Sequence, residues 1–189
     1  MNMILCRDIN GKAHVVAKTS LIKRTSAYGV IRSKKGILLV RDRTSSDKKW
    51  DLPGGGIEPK ERLLDGLKRE IKEETGLDVI GRPTKICKFT EYFYDIDSGQ
   101  GWESTRHFYE VSHKGNPIMD GNYEDIVDAR YFKLPLPEGR VSAVAAMVTK
   151  MQNNTSQRLG FHIHVYKFWL DLKLCSSLKK TSGFGFAKV

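Results

Sequence analysis

Three carboxylates, Glu70, Glu73 and Glu74, are spaced so that on a helix they fall within roughly 100° of arc on one face. Acids crowded in this way repel one another, and near a helix C-terminus the macrodipole disfavours them further. A sequence shaped for stability alone would avoid the arrangement. An isolated acidic run of this kind is most often just a solvated face. The other resolution is a hard divalent cation, Mg2+ or Mn2+, which takes oxygen ligands and offsets the charge. Just upstream, Gly54-Gly55-Gly56 follows Trp50-Asp51-Leu52-Pro53 and leads into the helical segment. Glycines there would let the backbone approach an ion closely.

These residues need a scaffold, and the hydrophobic pattern supplies one. Residues 60–75 carry Leu63, Leu64, Leu67 and Ile71 on one stripe, and Gly76 follows as a helix-ending glycine. Gly66 lies inside that helix, where glycine costs about 0.5–1 kcal/mol relative to alanine. Either close packing demands it or the position is tolerant. Upstream, Met3-Ile4-Leu5-Cys6 and Ala13-His14-Val15-Val16-Ala17 flank an Asp8-Ile9-Asn10-Gly11 turn and read as a hairpin. A second strand pair, residues 26–31 and 37–40, is followed by a polar loop from Arg41 to Lys49. Strands are expected at 85–96, 104–111 and near 129–132, with Asp97 to Glu103 as a loop. A second helix is expected from Val141, Val144, Ala145, Val148 and Met151. Residues 1–21 thus form an N-terminal extension, 22–153 the main domain and 154–189 a basic tail without an assigned role.

Composition narrows the classes. The 189 residues are 40% hydrophobic and 29% charged, which suits a soluble globular chain. No apolar run approaches the length of a membrane span, so no membrane partner is expected. Arg7 and Asp8 make the first ten residues a poor secretory signal. Cys6, Cys87 and Cys175 are odd in number and widely spaced, so they make neither a disulfide framework nor a metal site. A reducing cytoplasm is the simplest compartment. The net charge is +10, and half of that excess lies beyond residue 157, without a tight Lys/Arg block. A solvated tail is therefore expected over a nucleic-acid footprint.

The glycines and acids also sit in a longer pattern: Gly55, five residues, Glu61, seven residues, Arg69-Glu70-Ile71, Lys72, Glu73-Glu74, Thr75, Gly76-Leu77. Every fixed position of the Nudix box, G-x5-E-x7-R-E-U-x-E-E-x-G-U with U apolar, is matched. From average residue usage, chance gives this match with a probability on the order of 10^-7 in a chain of this length. Over roughly residues 22–153 the chain resembles a Nudix hydrolase. Trp50, Leu52, Pro53, Gly54 and Gly55 are similar to the family's lead-in, and Glu124, Ala129 to Phe132, Leu136 and Pro137 to its later segments.

The resemblance implies an α+β fold, an α/β/α sandwich with a mixed sheet in which the box forms a loop–helix–loop. It implies a divalent-metal-dependent pyrophosphohydrolase acting on a nucleoside diphosphate linked to another group. The candidates are a nucleoside triphosphate, a modified nucleotide or a dinucleotide, and the protein is expected as a monomer or homodimer. Glu70, Glu73 and Glu74 match the family's metal ligands, with the Gly54 carbonyl as a further one. Arg69 is expected to orient the catalytic carboxylates, and Glu61 to pair structurally with Arg69. Gly55 and Gly76 are structural. The general base is open among Glu73, Glu74 and Glu124. Arg41 and Arg43 either clamp phosphates or are solvated loop charges. Tyr28, Trp50, Phe89, Tyr92 and Tyr94 are candidates for stacking on a base, and Trp102 for a lid. The alternative class is a Nudix-fold nucleotide- or RNA-binding regulatory module, which would be expected to have lost box carboxylates that this chain keeps.

Overall fold

A computed structural model describes residues 2–8, 10–43, 49–122 and 125–153 of the protein. The N-terminal hairpin consists of β1 (Met3–Arg7) and β2 (Ala13–Ala17). Its turn is held by Asp8, whose Oδ1 accepts the Asn10 and Lys12 N–H groups at 2.9 Å each. A single 3-10 turn, Lys18–Ser20, leads into the long β3 (Ile22–Ser33), and β4 (Gly36–Asp42) follows. Then come the three-glycine β5 (Gly54–Gly56), α1 (Leu63–Thr75), β6 (Asp78–Asp95), β7 (Gln100–Lys114), β8 (Ile126–Phe132) and α2 (Ala143–Asn153).

The strands make one mixed sheet in the order β2-β1-β6-β7-β3-β4-β8, with β5 added to β3. β3 runs parallel to β7 and β1 parallel to β6; the remaining pairs are antiparallel. Strand alternation divides the core between two faces. Ala27, Ile31, Leu38 and Val40 pack with Leu67 and Ile71 of α1 on one face. Val30, Ile37, Leu39, Phe89 and Phe108 pack with Ala145 and Val148 of α2 on the other. The unbroken apolar run Ile37 to Val40 is buried on both sides, as a central strand requires. The result is the expected α+β sandwich with helices on both faces of a mixed sheet. Among the described residues no helix is long and apolar enough to cross a membrane.

Three expectations need correction. β4 continues through Asp42, so Arg41 belongs to a strand and not to the loop. β6 starts at Asp78, seven residues before the strand expected from Lys85, because register shifts between Ile80 and Thr84 and between Lys85 and Cys87 absorb Gly81 and Pro83. β7 starts at Gln100, so Trp102 is a strand residue, stacked on Phe93 with ring centroids 5.9 Å apart. Its neighbour on β3 is Ile22, six residues and roughly 20 Å along the strand from Tyr28. Trp102 is therefore no lid. The tail 154–189 lies outside the described residues.

Candidate functional site

The site is built where α1 crosses the glycine strand. In α1, Leu67 and Ile71 are fully buried, and helical periodicity then carries Glu70, Glu73 and Glu74 along the flank facing β5. Gly76 ends the helix in the left-handed conformation (φ +73°), its N–H donating to the Lys72 carbonyl at 2.9 Å. β5 pairs with β3 through Gly54–Tyr28, Gly55–Ala27 and Gly56–Ser26.

Side chains are excluded from β5 for steric reasons. Gly54 has φ +134°, and a Cβ there would run into the Ala27 carbonyl oxygen. A Cβ on Gly55 would lie 2.5 Å from Glu70 Oε2. Bare backbone lets the carboxylates come close: the Gly54 N–H donates to Glu74 Oε2 at 2.7 Å.

Arg69 organises the rest. Its Nε and Nη2 donate to the two Glu61 oxygens at 2.9 and 3.1 Å, a fork-to-fork pair. Nη2 also donates to the Gly56 carbonyl at 3.0 Å. Nη1 reaches both Glu70 Oε1 and Glu73 Oε2, each at 3.0 Å. One guanidinium thus ties the loop, β5 and two of the three acids into a single frame. Bonding to Arg69 holds the Glu61 carboxyl below its usual range.

Glu70 and Glu74 go the other way. Burial pushes Glu70 up, Arg69 opposes that, and the charges of Glu73 and Asp125 add to it. Glu74, 9% exposed, is pushed up well beyond the ordinary carboxylate range, first by burial and then by Glu70, Asp125 and Asp42, against the Gly54 hydrogen bond. Among the described residues, no three carboxylate, imidazole or thiolate groups are gathered closely enough to hold a metal ion in this arrangement. Glu70 and Glu73 share Arg69, and Glu74 is turned to Gly54.

Asp42 and Asp125 were missed by sequence reasoning. The signal for them was proximity to Arg41, Arg43 and Glu124, but an exposed loop acid carries no periodicity of its own. The β4–β8 pairing, which shifts register between Arg41 and Asp42, brings the two together. Asn122 Nδ2 donates to Asp125 Oδ1 at 2.8 Å and to the Glu73 carbonyl at 3.4 Å, pinning this loop to the end of α1. Glu124 itself lies outside the described residues.

The expected substrate contacts are scattered. Tyr28 is half-buried beside β5, stacked on Phe108 at 5.3 Å. Trp50 is only 4% exposed, held in the core against Phe132 with Arg41 and Arg130 over its ring, so it offers no face to a base. Phe89 is likewise core. Arg41 Nη2 lies 3.4 Å from Asp128 Oδ2. Arg43 is exposed and its backbone N–H donates to the Asp125 carbonyl at 2.7 Å. Tyr94 is far from the carboxylates, at the β6–β7 turn, where its hydroxyl donates to the Gly99 carbonyl and its ring stacks on His14 at 3.9 Å. Such a tyrosine serves the hairpin.

The Gly66 question is answered by packing. A Cβ there would lie 2.6 Å from both Glu61 Oε2 and Ile57 Cδ1. The Glu61 carboxylate cannot easily yield, since Arg69 and the Glu58 N–H hold it. Gly66→Ala is therefore expected to lower the melting temperature and slow turnover, although alanine favours helix by about 0.5–1 kcal/mol. A calorimetric melt showing the variant more stable than the parent would contradict this.

Known proteins resemble this chain in sequence and in fold. Nucleoside triphosphatase NudI from Escherichia fergusonii is 42% identical over 78 residues, which are 40% of this chain and 52% of NudI; the chain thus spans about half the length of that relative. The 8-oxo-dGTP diphosphatase of Buchnera aphidicola subsp. Schizaphis graminum is 27% identical over 115 residues, 60% of this chain and 85% of that protein. Among solved structures, the Burkholderia pseudomallei MutT NUDIX hydrolase superposes with a TM-score of 0.53 at 21% identity, covering 69% of this chain and 98% of its own. The E. coli ORF135 protein gives 0.55 at 17%, covering 76% and 100%. These structural likenesses concern the fold. A family model described as the NUDIX domain matches residues 22–148, from the start of β3 into α2, and the chain belongs to that family.

Proposed function

We propose that the protein is a pyrophosphohydrolase that uses a divalent metal ion, Mg2+ or Mn2+, to cleave the diphosphate of a nucleoside triphosphate, a modified nucleotide or a dinucleotide. The observation that carries this reading is the charge imbalance around Glu74. A buried carboxylate faces Glu70, Asp42 and Asp125, while Arg69 bonds Glu70 and Glu73 but not Glu74. The donors are hard oxygens beside a bare backbone, which suits a divalent ion. Glu70, Glu73 and Glu74 would hold it, Glu70 and Glu73 through the oxygens that Arg69 does not bond, with the Gly54 carbonyl as a further ligand. Such an ion, when bound, acidifies a coordinated water and neutralises phosphate oxygens.

The protein's own groups do the remaining work. Arg69 fixes two carboxylates against β5, and β5 leaves room for phosphates beside them. Glu74 is suited to accept a proton on Oε1, since the Gly54 N–H holds Oε2 and fixes the direction of the carboxylate. The substrates named for NudI and for the Buchnera diphosphatase support a nucleotide as the substrate. Free thiols at Cys6 and Cys87 accord with a reducing, cytoplasmic setting.

The deciding experiment incubates purified protein with nucleoside triphosphates, 8-oxo-dGTP, dinucleotides and nucleotide sugars, with and without Mg2+ or Mn2+, and measures phosphate and pyrophosphate release. Metal-dependent release from at least one nucleotide is expected. No release from any of them with either ion would overturn the reading.

A further inference from the structure

The two faces of β5 are not alike. Gly55 faces the α1 carboxylates, whereas a Cβ on Gly56 would meet the Arg24 guanidinium, with Nη2 at 3.4 Å. Only glycine backbone separates the acids from Arg24 and from the sheet face on which α2 packs. Register and alternation arrange that face in rows. One group is aromatic, Tyr28 stacked on Phe108 at 5.3 Å and Phe108 on Phe89 at 5.2 Å, with Phe89 opposite Arg106 in the ladder. Farther along β6 and β7, Phe93 and Trp102 form a second stacked pair. Between the two aromatic groups runs a polar strip, centred on Arg106, whose Nη2 bonds Glu91 Oε1.

This strip is expensive to place in a sheet and is incomplete as it stands. Arg106 and Glu91 keep only 28% and 26% of their side-chain surface exposed. Arg106 Nε is buried with no hydrogen-bond partner, and an orphaned buried donor calls for an explanation. Asp51, on the lead-in to β5, adds its charge to the surroundings of both Arg106 and Tyr28.

We propose that Arg106 and Glu91 read the nucleobase of the substrate, selecting bases with a lactam edge, in which a ring N–H lies beside a keto oxygen. Arg106 donates to the keto oxygen and Glu91 accepts the ring N–H. Arg24 takes phosphate as the chain of phosphates crosses Gly56 toward α1. Guanine, hypoxanthine and uracil carry that edge; adenine and cytosine present an amino group and a bare ring nitrogen there. The assignment rests on the proposed nucleotide substrate but not on its hydrolysis.

Equilibrium binding of the α,β-methylene analogues of GTP, UTP, ATP and CTP tests it without turnover. The parent protein is expected to prefer the GTP and UTP analogues by about 10- to 100-fold, the discrimination of one good paired contact. Arg106→Ala and Glu91→Gln should each erase that preference, weakening the lactam analogues and leaving ATP and CTP analogues within about twofold. Arg106→Lys should recover part of it, and it serves as the readout if Arg106→Ala does not fold by circular dichroism. Equal affinity for all four analogues in the parent would overturn the proposal, as would variants that weaken all four alike. Base-selective binding without hydrolysis of the natural nucleotides would retain this proposal and sink the hydrolase reading.

Discussion

Glu74→Gln should reduce turnover by about 10²- to 10⁴-fold, the scale of losing a general base, without loosening the fold. Glutamine keeps an oxygen to accept the Gly54 N–H, so the α1–β5 contact survives. The charge does not. Because burial and neighbouring acids raise the folded-state pKa of Glu74, its ionisation opposes folding: the protonated side chain is stable in place at acid pH, and that stability is lost as pH rises through the raised pKa. The metal-free parent and variant should therefore melt together near pH 4. At pH 8 the variant should melt higher, with the gap widening as pH climbs. Added Mg2+ should stabilise the parent at pH 8 and the variant much less. Melting curves across pH and steady-state rates check the two halves separately, and parent-like rates in the variant would refute the role of Glu74.

Arg69→Lys should be nearly as damaging despite conserving charge. The guanidinium makes five hydrogen bonds in fixed directions, two of them the fork to Glu61 and one to the Gly56 carbonyl. An ammonium is a compact point charge with three donors and cannot reproduce the fork. Glu70 and Glu73 would lose their common anchor, and β5 one of its ties to the helix. A drop of about 10- to 100-fold in kcat is expected, as for other groups that orient ligands. The Mg2+ concentration for half-maximal rate should rise, while KM for nucleotide moves little. Rates and a metal titration within twofold of the parent would show that Arg69 merely decorates the surface.

What the sequence revealed and what it hid differ in kind. The grouping of the α1 acids, Arg69 and the glycines of β5 was legible because these residues stand at fixed spacing within one continuous segment. Asp42 and Asp125 were not, since only the pairing of β4 with β8 carries them to Glu74. Glycine misled the reading of β7. Gly99 and Gly101 suggested a loop, yet Gly101 is a strand residue whose missing side chain makes room for Leu21 and Val16, with a Cβ there only 2.9 and 3.1 Å from them. Trp102 was misplaced as a result. Tyr94 shows the complementary limit: a strand tyrosine announces a sheet, but sequence distance does not say which end of the sheet it occupies. The Arg106–Glu91 pair was likewise invisible, because its members stand on different strands and neither belongs to the box.

The β3–β7 ladder governs how this protein must assemble. Its ten registered pairs run from Ile22–Trp102 to Ile31–Val111, each joining residues 80 positions apart. The glycine strand and α1 both lie inside that span. Such distant, parallel pairing makes for high contact order and slow folding. A nascent chain cannot complete this ladder until residue 111 has left the ribosome, so the acid-bearing helix rests at first on β3 and β4 alone, with one flank of β3 open for a strand made long after it.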